Sequence, residues 1–304
     1  MIIISNILVL GVSGMLGSMV FDYLSKNPNF NVYGTVRNPK FLKDKIFLFD
    51  ANDITQLEAN HFVNLSIEYI INCIGITKPF SKDDDPEGVK RAILINAYFP
   101  WKLASYAKKH NIKVIQIGTD CVYSGKKGNY HENDPHDPLD VYGKSKSLGE
   151  VFDGSMLIIR CSIIGPEFKK ETTFLLEWFL SQPNKGTIGG FEHHIWNGVT
   201  TLQFAEICEK IILTKKFNKL IEISHIHHFV PNNRVNKFEL MNIFNDLFEK
   251  NLKINRVNIP NQIIDRTLKS QYHELEDIYR KSDIKSALAN LKKYMDNFVS
   301  INKN

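Results

Sequence analysis

Along the first half of the chain, strand-like runs of hydrophobic residues alternate with segments in which hydrophobic residues recur at helical spacing. Residues 2–10 form an almost unbroken β-branched apolar run, typical of a strand buried on both faces of a parallel sheet. The apolar positions of residues 15–24 then recur at helical spacing. Strands that alternate with helices indicate an α/β fold with a Rossmann-type, doubly wound parallel sheet. The same alternation of patterns predicts further strands at residues 31–36, 45–49, 69–74, 113–117 and 156–161, and helices at residues 54–64 and 96–110.

The regular alternation fades beyond Gly165. Helical patterns remain at residues 174–180, 203–213 and 237–249, and the glycine-rich stretch GTIGG separates the first two. We therefore predict a change of domain near residue 165, with a smaller unit after it.

Composition and charge narrow the class of protein. The chain has 304 residues, 43% hydrophobic and 23% charged, which is typical of a globular protein and excludes disordered and collagenous classes. A net charge of +5 without a run of five like charges argues against nucleic acid as a partner. The four cysteines are too far apart for a paired metal or redox motif, so we expect reduced thiols. The opening MIIISNILVL lacks a basic region and is too short to cross a bilayer, so we expect a cytoplasmic protein without a membrane partner.

Three glycines, Gly11, Gly14 and Gly17, stand between the first predicted strand and the first predicted helix. A GxxGxxG turn in this context lets a pyrophosphate approach the backbone at the amino end of the helix. The turn therefore predicts a dinucleotide site. The neighbouring residues of the turn are further candidate contacts, namely Ser13, Met15 and Leu16.

The residue that reads the ribose is expected about 20 positions beyond the turn. Counting 20 positions from Gly17 leads to Arg37, and no acid lies between Asp22 and Asp44. An arginine here suits the 2′-phosphate of NADP(H) rather than the free hydroxyl of NAD(H), although a solvated surface arginine remains the alternative. Asp50, just past the third strand, is a candidate acceptor for the adenine amino group or, equally, a turn or N-cap aspartate.

A tyrosine and a lysine four residues apart on one helix face form a proton-donating pair. The chain contains this spacing three times, so context must choose among the pairs. Only Tyr142 and Lys146 lie in a segment that can be helical across both residues, and they follow a strand that ends at Thr119. That strand would carry a hydroxyl to the carboxyl edge of the sheet, where open α/β sheets bind ligands. The other two pairs are Tyr98/Lys102, with Pro100 inside it, and Tyr123/Lys127, with Gly125 inside it.

Together, the segments GxxGxxG, INCIG, NAYFPWKLA, GTDCVYSG and VYGKSKSLGE resemble extended short-chain dehydrogenases/reductases, most closely the dTDP-4-dehydrorhamnose reductase type of nucleotide-sugar reductase. The resemblance covers residues 6–165. It implies an NADP-binding domain of residues 1–165 plus about 197–225, and a smaller α/β substrate domain of about 166–196 and 226–304. The site residues that it implies are Thr119, Tyr142 and Lys146 as catalytic triad, Asn96 on a water-linked proton path, Cys73 and Gly75 against the cofactor, and Asp120, Trp196 and Arg266 against the substrate. The position of Arg266 suits the diphosphate of the substrate, with a surface arginine or a structural ion pair as the alternative.

Three positions depart from the family pattern. Cys121 stands where related dehydratases carry a glutamate, which disfavours dehydratase activity. Met19 occupies the position at which some reductases carry a metal-sharing glutamate, and Gly118 replaces the usual serine. Histidines are interpreted as strand-end or substrate-lining residues, because acidic or cysteine partners do not recur around them, and no metal is expected. These histidines are His193, His194, His225, His227 and His228.

The function expected from the resemblance is NADPH-dependent reduction of a nucleotide-bound 4-keto-6-deoxyhexose, in deoxysugar synthesis for a surface polysaccharide. A nucleotide-sugar epimerase is one alternative. A non-catalytic NADP-binding regulatory subunit, of the kind that partners methionine adenosyltransferase, is another. The expected partner is the nucleotide sugar, and a homodimer is the candidate oligomeric state.

Overall fold

A computed structural model describes residues 4–59, 62–167, 172–260 and 262–297. The strands are β1 Ser5–Leu10, β2 Phe30–Val36, β3 Ile46–Leu48, β4 Tyr69–Asn72, β5 Lys113–Ile117, β6 Met156–Arg160, β7 Ile163–Ile164, β8 Thr187–Phe191, β9 His194–Trp196, β10 Val199–Thr200, β11 Ile226–His228, β12 Val235–Asn236, β13 Lys253–Val257 and β14 Ile264–Asp265. The α-helices are α1 Met15–Ser25, α2 Thr55–Ala59, α3 Pro86–Ala92, α4 Phe99–Lys109, α5 Val141–Leu148, α6 Leu175–Ser181, α7 Thr201–Leu213, α8 Phe217–Ile223, α9 Lys237–Phe248, α10 Glu274–Ile278 and α11 Ile284–Asp296.

The large sheet is entirely parallel and has the strand order β11-β6-β5-β4-β1-β2-β3. Its first six strands in sequence form the order 3-2-1-4-5-6, that of a Rossmann fold, which confirms the predicted fold class. The order reverses between β1 and β4, so the glycine turn after β1 opens at the switch point. Open α/β sheets bind ligands in this crevice.

The core lies on both faces of the large sheet. Ile7 and Val9 of β1 pack into one hydrophobic cluster, whereas Leu8 and Leu10 pack into the other. This alternation follows from the period of two in a strand, and both faces are apolar because helices cover both. On one face of the sheet α1 packs against α7. Met19 of α1, which stands where some reductases carry a metal-sharing glutamate, is fully buried.

Several predicted boundaries shift. The predicted helix at residues 96–110 is divided into a π-helical turn, Ile93–Tyr98, and α4. The predicted helix at residues 54–64 appears as α2 and a 3-10 turn, Phe62–Leu65, and residues 60 and 61 lie outside the described residues. The first strand begins at Ser5, and residues 1–3 also lie outside them.

The domain boundary expected at about residue 225 stays a prediction. Strand β11, Ile226–His228, pairs with β6 and forms the edge of the large sheet, so the sheet extends three residues beyond that position. The sequence of β11 is IHH. Two polar residues in a three-residue segment give no strand periodicity, so the hydrophobic pattern does not predict this strand. The chain leaves the large sheet after His228.

The later part of the chain builds three small sheets beside the large one, the first of them from β7 and β10. Strand β13 pairs with β8, and β9 lies between β12 and β14. Helices α6, α9 and α11 pack around them, with Phe179, Phe244 and Leu288 fully buried. Within the described residues, no helix is long and apolar enough to cross a membrane.

Candidate active site

The glycine turn has the backbone that a dinucleotide cradle requires. Gly11 has a φ of +82°, a conformation that side chains other than glycine rarely adopt. A Cβ on Gly17 would overlap the carbonyl oxygen of Gly11, so only glycine lets α1 approach the strand this closely. The turn thus fits a pyrophosphate at the amino end of α1, with Ser13 and Met15 half-buried in the turn and Leu16 buried beneath it.

The end of β2 lies against this turn. The backbone N–H of Gly11 donates to Thr35 Oγ1 at 3.1 Å, and that of Val12 donates to the Thr35 carbonyl at 2.9 Å. Arg37, two residues later, is exposed. The predicted ribose-reading position is therefore next to the turn and open to a ligand.

Asp50 follows β3 and is half-buried. Its Oδ1 accepts hydrogen bonds from the backbone and the side-chain N–H groups of Asn52, at 3.0 and 2.8 Å. These bonds are those of a turn aspartate, which was one of the two interpretations of this residue. Contact with an adenine remains a prediction.

Cys73 and Gly75 follow β4, on the other side of the switch point. The Cys73 N–H donates to the Leu10 carbonyl at 3.2 Å, which holds this segment beside the glycine turn. Burial raises the pKa of the Cys73 thiol, so it is a neutral neighbour of the cleft. Gly75 is exposed.

Thr119 and Tyr142 come together where β5 ends. Thr119 caps the 3-10 turn Asp120–Val122, its Oγ1 accepting a hydrogen bond from the Cys121 N–H at 3.2 Å. A Cβ on Gly143 would overlap the Cys121 carbonyl oxygen, so this glycine lets α5 pack directly on the turn. The pKa of Tyr142 is raised by burial, and a hydrogen bond with the Thr119 hydroxyl opposes the rise.

Lys146 lies one helical turn further along α5, beneath the same cleft. Its ammonium donates to the Ile117 carbonyl at 2.8 Å. Burial lowers the pKa of Lys146 to about 8, and the nearby charge of Glu150 opposes this change. Burial raises the pKa of Tyr142 and the nearby acidic groups add to the rise, so the helical spacing of Tyr142 and Lys146 does not by itself give a phenol of low pKa.

Asn96 connects the segments around this pair. Its side chain accepts from the Ile76 N–H at 2.8 Å, donates to the Ile76 carbonyl at 2.8 Å, and donates to Ser145 Oγ at 3.1 Å. Asn96 therefore fixes the loop after β4 against α5. Its predicted place on a water-linked proton path stays a prediction.

The other two tyrosine–lysine pairs have different surroundings. Tyr98 is exposed on the π-helical turn, and Lys102 lies over its ring at 5.4 Å. Tyr123 is fully buried, and its hydroxyl donates to the His131 carbonyl and accepts from Arg160. Lys127 instead pairs with Asp134 at 2.6 Å. Neither pair can present an acid to the cleft.

The substrate side contains a residue that the sequence analysis missed. Lys237, the first residue of α9, lines a pocket of about 140 Å³ together with Trp196 and with Met15 of the glycine turn. Its ammonium lies 5.2 Å from the centroid of the Trp196 ring. Asp120 is close enough for its charge to raise the pKa of Lys237, although burial dominates and lowers that pKa to about 8. Local sequence marks Lys237 only as a helix start, through the capping box of Asn236 and Glu239.

Arg266, just after β14, also reaches this region. Its Nε donates to the Tyr123 carbonyl at 2.9 Å, and its charge acts on Cys121 and Asp140. Asp140 caps α5 through a 2.8 Å hydrogen bond from the Gly143 N–H and pairs with Lys78 at 2.7 Å. The predicted substrate residues Asp120, Trp196 and Arg266 therefore surround the cleft.

The histidines make structural contacts. His227 Nε2 lies 3.0 Å from the carbonyls of Leu220 and Ser224, and His228 Nδ1 lies 3.1 Å from that of Lys269. Among the described residues, no three histidine, cysteine or acidic side chains form a group that suits a metal ion.

A Rossmann sheet with a glycine turn at its switch point, and a Thr–Tyr–Lys set at its carboxyl edge, defines the short-chain dehydrogenase/reductase class. Residues 5–263 match the family model described as the RmlD substrate binding domain. The chain belongs to this family, which confirms the resemblance seen in the sequence and makes the protein an NAD(P)-dependent oxidoreductase.

Proteins that resemble the chain include reductases and a methionine adenosyltransferase subunit. The chain is 27% identical to dTDP-4-dehydrorhamnose reductase of Aggregatibacter actinomycetemcomitans, in a match that covers 69% of each chain. It is 32% identical to methionine adenosyltransferase 2 subunit beta of Danio rerio, over 48% of this chain and 42% of the relative. Among solved structures, dTDP-4-dehydrorhamnose reductase of Yersinia enterocolitica has a TM-score of 0.74 at 22% identity, covering 97% of this chain and 100% of that one. The reductase of Bacillus anthracis in complex with NADP has a TM-score of 0.74 at 18% identity, covering 95% and 99%.

Proposed function

We propose that the protein reduces a nucleotide-bound 4-keto-6-deoxyhexose with NADPH, in deoxysugar synthesis for a surface polysaccharide. The observation that carries the proposal is the meeting of Thr119 and Tyr142 above Lys146 at the carboxyl edge of the sheet. The comparison with dTDP-4-dehydrorhamnose reductases supports the substrate class.

Each residue of the set has a distinct task in ketone reduction. NADPH bound at the glycine turn would supply the hydride for C4 of the sugar. The Thr119 hydroxyl donates a hydrogen bond to the ketone oxygen, and Tyr142 transfers its phenolic proton to that oxygen as the C–O π bond breaks. Because burial raises the pKa of Tyr142, the phenol keeps its proton at neutral pH until the alkoxide forms. Lys146 holds the ribose of the nicotinamide nucleotide and offsets the developing phenolate charge.

The preference for NADPH rests on Arg37. The guanidinium is exposed at the end of β2, beside the glycine turn, and no acid lies between Asp22 and Asp44 to bind a ribose hydroxyl. A charge-assisted hydrogen bond to the 2′-phosphate would favour NADPH. We place the protein in the cytoplasm, in line with its four free cysteines.

We propose a homodimer as the oligomeric state. Exposed apolar side chains cluster where the π-helical turn, α4 and the end of α5 meet, and a surface groove of about 510 Å³ runs between Trp101 and Phe152. A contiguous apolar patch of this kind favours association. Its exposed members are Ile93, Leu94, Tyr98, Trp101, Leu148 and Phe152.

A panel of nucleotide-linked 4-keto sugars tests the proposal, with NADPH oxidation followed by absorbance. Turnover with a panel member, lost in Tyr142→Phe, would support a reductase. Silence across the panel, with NADPH binding intact, would favour a regulatory subunit like the methionine adenosyltransferase relatives. Interconversion of sugar epimers without net NADPH oxidation would favour an epimerase.

A further inference from the structure

The three-stranded sheet β12-β9-β14 places basic side chains on one face. In the antiparallel pair, Val235 is opposite Trp196, so the next residue, Lys237, is level with His194. In the parallel pair, Ile264 is opposite His194, so Arg266 is level with Trp196. Residues that pair across strands, and residues two apart on one strand, point to the same face.

Side-chain contacts agree with this register. The Lys237 ammonium lies over the Trp196 ring, and the charges of both Lys237 and Arg266 lower the pKa of His194, after burial as the main cause. The outer strands are two strand spacings apart, or about 10 Å. Long side chains from these strands can therefore converge on a group in front of His194.

Neither cation forms a direct ion pair with a carboxylate of the described residues. Lys237 and Arg266 form no salt bridge within the described residues, whereas Arg234, just before β12, pairs with Asp265 at 3.1 Å. Asp120 influences Lys237 only through its charge, without a hydrogen bond between their described side chains. Two cations without a direct ion-pair partner at the edge of a cleft favour an anionic ligand.

The face is directed toward the cleft. Lys237 shares its pocket with Met15, the first residue of α1 after the glycine turn, and with Ile163 of β7. On the other side, the charge of Arg266 acts on Cys121, next to Thr119. An anion on this face would leave the attached sugar within reach of Thr119 and Tyr142.

We propose that Lys237 binds the diphosphate of the nucleotide sugar, as a second cation opposite Arg266 and with His194 between them. This inference rests on the proposed function, because it assumes a nucleotide-linked substrate. The two negative charges of a diphosphate match the two cations, and neutral His194 adds a hydrogen-bond donor.

Calorimetric titration of the NADPH-saturated protein tests this assignment without turnover. The probes are dTDP, UDP and inorganic pyrophosphate, with thymidine and uridine as uncharged counterparts. Saturation with NADPH blocks the glycine turn as a competing phosphate site. Lys237→Met should weaken diphosphate binding about 10- to 100-fold, whereas Lys237→Arg should stay within about threefold of the parent. The matched control is Lys253→Met, at an exposed lysine of β13.

Two results would overturn the inference. One is unchanged diphosphate affinity in Lys237→Met. The other is an equal loss of NADPH affinity in that variant, which would assign Lys237 to the cofactor. If Lys237→Met fails to fold, Lys237→Gln and the conservative Lys237→Arg carry the same comparison. Diphosphate binding through Lys237 without reduction of any keto sugar would sink the proposed function and leave the anion site standing.

Discussion

Arg160 occupies the space into which a side chain at position 118 would project. An ideal Cβ on Gly118 would lie 2.7 Å from Cγ and 3.1 Å from Cα of Arg160. Arg160 is fully buried and cannot withdraw, because its Nε and Nη2 donate to both carboxylate oxygens of Glu150 at 2.7 and 2.5 Å. The contact leaves little room for a side chain at position 118, where similar reductases have serine.

Gly118→Ser should therefore destabilise the fold. Forcing a side chain against the buried Arg160–Glu150 pair should lower the free energy of unfolding by about 1–3 kcal/mol. Denaturant unfolding measures the change. Gly154→Ser is the control, since a Cβ there meets nothing within 4 Å, and it should stay within about 0.5 kcal/mol. Equal stabilities of the two variants would mean that Arg160 relaxes freely.

Arg37→Ala should remove most of the preference for NADPH over NADH. A charge-assisted hydrogen bond contributes about 1.5–3 kcal/mol, so the parent should bind NADPH about 10 to 100 times more tightly than NADH. Fluorescence titration of both cofactors gives the two dissociation constants. The NADH constant is the internal control and should not move. Equal affinities in the parent would exclude Arg37 as the specificity residue.

The protein should form no 4-keto-6-deoxy product from an unoxidised dTDP- or UDP-hexose, even with NADP⁺ or NAD⁺. Elimination of water needs acidic groups beside the hydroxyl, and Cys121 stands where dehydratases carry a glutamate. Burial raises the pKa of the Cys121 thiol to about 12, so it does not replace that acid. Mass spectrometry of the nucleotide-sugar pool measures the outcome. Detection of the dehydrated product would contradict this prediction and show that Asp120 alone is enough for the elimination of water.

NADPH binding should weaken as pH rises through about 8. Burial lowers the pKa of Lys146 to about 8, so the ammonium proposed to hold the ribose is lost in this range. The buried phenol of Tyr142, whose pKa is raised, keeps its proton and adds no change there. Lys146→Arg, which stays charged, should bind NADPH with a flat pH profile. A flat profile in the parent would contradict the assigned role of Lys146.

Much of the nucleotide-binding half was predictable because its signals are local. Buried parallel strands are continuous apolar runs, and the glycine turn and the Tyr142–Lys146 spacing are short motifs at element ends. The contacts that a pattern cannot show join distant residues. Gly118 meets Arg160, and β11 completes the sheet through a polar sequence that has no strand periodicity.

Lys237 illustrates the same limit on the substrate side. Its sequence context is a helix start, and only the register of β12 against β9 brings it to Trp196 and the cleft. The raised pKa of Tyr142 was likewise hidden, because burial is a property of the packed structure and the spacing of tyrosine and lysine does not contain it.

The central claim is that Tyr142 protonates the sugar oxygen. Tyr142→Phe keeps the ring but removes the proton, so the rate constant for ketone reduction should fall by about 10² to 10⁴ with little change in NADPH affinity. Tyr98→Phe, at an exposed tyrosine, is the matched control and should stay within a few-fold of the parent. Tyr123→Phe should also retain turnover in the folded enzyme, but it should unfold more easily because Arg160 loses a buried acceptor.

The most direct test of that claim is single-turnover reduction of a nucleotide-linked 4-keto sugar. NADPH is prebound, at a concentration above its KM. The account predicts a normal rate for the parent and for Tyr98→Phe, and a rate at least about 100-fold lower for Tyr142→Phe. Near-parental reduction by Tyr142→Phe would contradict it and move the proton donor away from α5.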